Sequence, residues 1–162
     1  MLAGQQSNLR PEDDRSFMAM ALEQARQASE HGEVPVGAVL VVEGEVLSAR
    51  GNERERLKDP TAHAEMLVLR EGAALAGSWR LREATLYVTL EPCPMCAGAI
   101  VLARIARLVY GASDPKTGAA SSILNITDHP ALNHHPKIHA GLMEAECSAL
   151  LQEFFAKLRN CE

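Results

Sequence analysis

Two short segments carry side chains that can do chemistry together: His63-Ala64-Glu65 and Pro92-Cys93-Pro94-Met95-Cys96. One imidazole and two thiolates make three strong ligands for a zinc ion. Structural zinc is normally closed by a fourth protein ligand, whereas catalytic zinc keeps that position for water. Glu65, two residues beyond the histidine, is a carboxylate suited to taking the proton of such a water. Cys93 and Cys96 stand at i and i+3, so they share one face at a helix start. Pro94 suits a first helical turn, and the positive end of a helix favours thiolates. His63 stands near the start of another helix, after Pro60-Thr61. The spacing predicts two helix N-termini facing one metal, with hydrolysis as the chemistry. Each part alone has a plainer reading. A C-x-x-C is also a redox pair or half of a structural zinc site. His129, His134, His135 and His139 offer a fourth ligand in principle, but they lie in a stretch with Pro and Asn that reads as a solvated loop. A closed structural site has no use for Glu65.

The elements that must position these groups follow from apolar periodicity. Pro11 with Glu12-Asp13-Asp14 suits a helix start, and Phe17, Ala21, Ala25 and Ala28, flanked by Met18 and Leu22, form one face that ends at Gly32. Residues 36–42 are a β-branched run, Gly44 a turn, and Val46-Leu47 the returning arm of a hairpin. Residues 52–60 read as a charged loop. A helix is predicted over 61–76, with Thr61 as its N-cap, then a strand over 85–89, an apolar helix over 94–103 and a strand over 107–111. Residues 113–136 read as loop with a turn near Ser122. Ile138 starts a last short strand, and residues 143–158 form a closing amphipathic helix. Strands alternating with helices imply an α/β fold, a three-layer α/β/α sandwich on a mixed sheet of about five strands.

Composition narrows the setting. The 162 residues suit one domain over 1–162, with the first ten expected to be loose. Hydrophobic residues make up 47% of the chain but aromatics only 4%, so aliphatic side chains must fill the core. The net charge of −5 gives no global sign of nucleic-acid binding, so any RNA contact must use a local basic surface. There is no membrane-length apolar run and no signal-peptide core at the start, so a cytoplasmic location is expected. Its cysteines then read as ligands or free thiols, Cys147 as a small core residue and Cys161 as incidental. The segment 97–103 is apolar all round, and a helix packed on one side of a sheet should show a polar side unless something covers it. An isologous homodimer built partly on this helix is expected.

Well beyond the metal motif, the chain resembles the tRNA-specific adenosine deaminases of bacteria, within the cytidine deaminase-like superfamily. The resemblance rests on Glu33-Val34-Pro35-Val36-Gly37-Ala38-Val39, Asn52, Asp59-Pro60-Thr61-Ala62-His63-Ala64-Glu65, and the run from Ala84 to Cys93. It continues through Met95-Cys96-Ala97-Gly98-Ala99, Asp114-Pro115-Lys116-Thr117-Gly118-Ala119-Ala120 and Asn133-His134. It covers residues 15–158, and the last two segments favour the tRNA branch over deaminases of free bases. The resemblance implies a homodimer with one Zn2+ per subunit, held by His63, Cys93 and Cys96. It implies hydrolysis of adenosine to inosine at the wobble position of a tRNA anticodon stem-loop, with Glu65 as proton shuttle. By the same carry-over Asn52 hydrogen-bonds the nucleoside, Val34 packs on the base, and Ala64, Asn133 and His134 join the substrate site. Asp114, after a strand end, is expected either to accept a bond from a ribose 2′-hydroxyl or to cap its own turn through Pro115. Departures from the family are Ser113, His135-Pro136 and a chain that stops soon after Lys157 and Arg159. The runner-up is a zinc deaminase of a free purine or pyrimidine base or nucleoside, and a third reading is a non-catalytic RNA-binding module.

Overall fold

Apolar residues divide between the two faces of a central sheet, and that division positions everything else. A computed structural model describes residues 11–161; the expectation of a loose segment at 1–10 lies outside them. The chain runs α1 (Pro11–Glu30), β1 (Gly37–Val42), β2 (Glu45–Gly51), α2 (Arg54–Leu57), α3 (Ala64–Ala76), β3 (Ala84–Leu90), α4 (Pro94–Leu102), β4 (Arg107–Ala112), β5 (Lys137–Ala140) and α5 (Glu144–Asn160). The strand order is β2-β1-β3-β4-β5. β1 is antiparallel to both its neighbours, while β3, β4 and β5 are parallel.

Side chains alternate across a strand. Ala38, Leu40, Leu86, Val88, Leu108 and Tyr110 therefore face α3 and α4 with Val68 and Ile100. Val39, Val41, Tyr87 and Val109 face α1 and α5 with Met18, Leu22 and Cys147. The result is the three-layer α/β/α sandwich on a mixed sheet of five strands. Gly37 and Gly51 let α1 lie close on the sheet, because a Cβ at either would fall within 3 Å of that helix's backbone.

Several boundaries differ from the sequence reading. The hairpin arm is longer, and Glu43-Gly44 forms its turn with positive φ at both residues (52° and 81°), as a two-residue type I′ hairpin turn requires. The charged loop 52–60 contains α2, one turn with no apolar periodicity, fastened when Arg56 N–H donates to the buried Glu33 Oε1 at 2.9 Å. Thr61 is not an N-cap: its N–H and hydroxyl both donate to Asp59 Oδ1, at 2.8 and 2.7 Å, and close a turn before the helix. The helix begins at Ala64, with His63 in the N-cap position.

Candidate active site

His63 and Cys93 occupy the N-cap positions of α3 and α4, and Pro94 holds the first turn of α4. Two helix starts thus point at one place, beside the C-terminal end of β3, where open α/β sheets bind ligands. His63 Nδ1 lies 3.6 Å from Cys93 Sγ and 3.5 Å from Cys96 Sγ, and the three donor atoms all fall within 4.8 Å of one another. A tetrahedral zinc ion with bonds of about 2.3 Å to sulfur and about 2.0 Å to nitrogen sets N and S donors about 3.5 Å apart. The donors already stand at that edge length, so this group can hold a metal ion and suits zinc. Among the described residues it is the one His/Cys/Asp/Glu cluster with such spacing.

The electrostatics fit a cation site with a working carboxylate beside it. The hydrogen bond with Cys96, then those from His63 and the backbone, draw the Cys93 thiol down to a pKa of about 4. Cys96 is pushed up, by its bond with Cys93 and by burial, and a bound dication would favour the thiolate form of both sulfurs. The bond to Cys93 raises His63. Glu65 is 4% exposed, and its Oε2 is buried without a hydrogen-bond partner. Burial raises its pKa to about 7. A buried carboxylate oxygen without a partner is costly and calls for an explanation, and a catalytic role supplies one.

A cleft of about 150 Å³ opens on these groups. Val34, Asn52, Arg54, Glu91, Asp114 and Thr117 line it together with His63, Glu65 and Cys93. Asn52 is buried and links the walls. Its Oδ1 accepts the Ala64 N–H at 2.9 Å, an otherwise orphaned donor of α3, and its Nδ2 donates to Val34 O at 3.2 Å. Ala64 itself is fully buried and its N–H is taken by Asn52. Asp114 caps its own turn, accepting from the Lys116 and Thr117 N–H groups at 2.9 and 3.2 Å and from the Thr117 hydroxyl at 2.7 Å.

Asn133 and His134 are not brought into this cleft. His134 Nε2 meets Ile105 O at 2.6 Å, before the start of β4, whereas Asp114 follows its end, roughly 20 Å of strand away. Arg54 and Thr117 also line the cleft, and so does Glu91. The Glu91 carboxylate is buried; hydrogen bonds from Ser122, Asp114 and Ser121 outweigh the upward push of burial and hold its pKa below the ordinary value. A carboxylate immediately before Pro92-Cys93, followed by a downstream loop of small residues, was the available signal.

Metal donors, a buried carboxylate with one oxygen free of partners and a small cleft at the strand ends define a hydrolytic metal site of the deaminase type. A family model described as MafB19-like deaminase matches residues 12–159. A tRNA-specific adenosine deaminase of Bacillus subtilis (strain 168) is 48% identical over 147 residues, covering 91% of either chain. A solved structure from work on A-to-I editing by tRNA:A34 deaminases at the wobble position superposes with a TM-score of 0.82 at 50% identity, over 84% of this chain and 99% of that one. The guanine deaminase of Bacillus subtilis is more distant, with a TM-score of 0.61 and 31% identity over 94% of this chain and 95% of that one. The chain belongs to the deaminase family, in its branch of tRNA-specific adenosine deaminases.

Proposed function

We propose that this protein is a zinc-dependent hydrolase converting adenosine to inosine at the wobble position of a tRNA anticodon stem-loop. The observation that carries the chemistry is the buried, partnerless Oε2 of Glu65 beside three donors already at zinc spacing. The tRNA substrate rests on the relatives' identity. When bound by His63, Cys93 and Cys96, zinc lowers the pKa of a water toward about 7. Glu65, with its own pKa near 7, can accept the two protons of the water in turn at Oε2, passing the first to the ring nitrogen beside C6 and the second to the departing amine. Water's oxygen ends on C6 and ammonia leaves, which balances the reaction. Val34 supplies an apolar wall for the base, and Asn52 Nδ2 keeps a second N–H to offer it. Lys116, at the turn between Asp114 and Thr117, and Lys157 and Arg159 on α5 supply local positive charge for phosphates despite the net charge of −5.

The whole of 1–162 reads as one deaminase domain working in the cytoplasm; no described helix is long and apolar enough to cross a membrane. The assay is inosine formation by zinc-loaded protein on an anticodon stem-loop with A at the wobble position, beside free guanine, cytosine and adenosine. Inosine in the stem-loop is expected. Ammonia from free bases with an untouched stem-loop would move the protein to the small-molecule reading.

A homodimer fits the surface. Leu102 on α4 is 68% exposed, Ile123, Leu124 and Leu132 are exposed too, and a Cβ at Gly98 would meet nothing within 4 Å. The 113–136 loop therefore leaves that helix face bare, and a second copy would cover it. Gly98→Arg fits the monomer and should shift sedimentation from dimer to monomer at micromolar concentration. A wild-type monomer would end the idea.

A further inference from the structure

Glu91 belongs to none of the chemistry above, yet its carboxylate collects five hydrogen bonds from a single stretch of chain. Oε2 accepts the Asp114 N–H at 2.9 Å and the Ser122 hydroxyl. Oε1 accepts the N–H groups of Ala120, Ser121 and Ser122 at 3.2, 2.8 and 2.9 Å. Every partner is a donor, so only a group that accepts at both oxygens satisfies them all. The backbone reinforces the attachment: Glu91 N–H donates to Ala112 O and Ala119 N–H to Pro92 O, both at 2.8 Å. Gly118 is needed for the approach, because a Cβ there would lie 2.4 Å from Glu91 Oε2. The stretch held in this way carries Asp114 and Thr117 into the cleft. Glu91 itself precedes Pro92 and Cys93 in the chain, so these bonds connect a metal ligand to the substrate-side rim.

We propose that Glu91 is a positioning residue that locks the 114–122 rim to the Cys93 end of the metal site, and so fixes where the RNA sits rather than how water is activated. The proposal rests on the tRNA deaminase reading for its kinetic consequence but not for its mechanical one. Glu91→Gln keeps the shape and turns one acceptor into an NH2 that faces donors. The full-length zinc-loaded variant should match wild type in zinc content. Amide hydrogen exchange should quicken about tenfold or more in residues 113–122 and stay within about twofold in α3 and α4. On the stem-loop, KM should rise about tenfold while kcat falls less than about threefold. Ser122→Ala, which removes one donor, should give the same pattern on a smaller scale, and it alone carries the test if Glu91→Gln does not fold. Unchanged exchange in 113–122, loss of zinc, or a fall in kcat at constant KM would each overturn the proposal. If wild-type protein leaves the stem-loop unmodified, the functional reading fails, and the exchange comparison still decides whether Glu91 locks the rim.

Discussion

The two ends of the parallel strands treat buried charge in opposite ways. At the start of β4, Asp14 is 5% exposed and fully paired. Its Oδ1 accepts from the Tyr87 hydroxyl and Arg107 Nη1 at 2.6 and 2.7 Å, and its Oδ2 from Arg107 Nη2 at 2.6 Å. At the far end Glu65 is equally buried, yet one oxygen has no partner. The first arrangement fastens α1 to the sheet. The second leaves a carboxylate ready to exchange a proton, at some cost in stability. A buried charge that is satisfied marks scaffold in this molecule, and one that is not marks chemistry.

The largest test of that contrast acts at the site. Cys93→Ser or Cys96→Ser should abolish zinc binding and deaminase activity together, because zinc needs all three protein ligands. Stoichiometric zinc in either variant, measured by metal analysis, would contradict the ligand set. At the scaffold end, Asp14→Ala strands Arg107, which is one-quarter exposed, and should cost about 2–3 kcal/mol in a denaturant titration while kcat stays unchanged. The same pair sharpens the contrast through pH. Burial pushes the Asp14 pKa up, but the hydrogen bonds from Arg107 and Tyr87 prevail and hold it below the ordinary 3.8. Its contribution is therefore complete above that value and drains away as pH falls through the lower folded pKa. Wild type should lose stability more steeply than Asp14→Asn below about pH 4; parallel acid-unfolding curves would show that the pair contributes nothing.

Sequence disclosed the metal group, because ligand spacing at two helix starts is local information. It disclosed the sheet as well, since the short β-branched apolar run at 36–42 and the strand at 85–89, bounded by turn residues and helices, read as buried strands. It did not disclose α2, whose charged residues carry no period and which depends on a bond to Glu33. Nor did it show that Asn52 caps α3, or that Glu91 gathers the 114–122 segment, since both join residues 12 or more positions apart. The His134 contact with Ile105 O, at the strand end away from the cleft, was hidden for the same reason.

The most direct measurement is inosine formation by Glu65→Ala on the stem-loop, with zinc content and melting temperature recorded on the same sample. Activity should fall by about 10³-fold or more, since proton transfer at two steps is lost, while zinc stays bound and the melting temperature stays level or rises as the buried carboxylate oxygen without a partner disappears. Near-wild-type inosine formation by the zinc-loaded variant would contradict the role of Glu65 as the proton carrier.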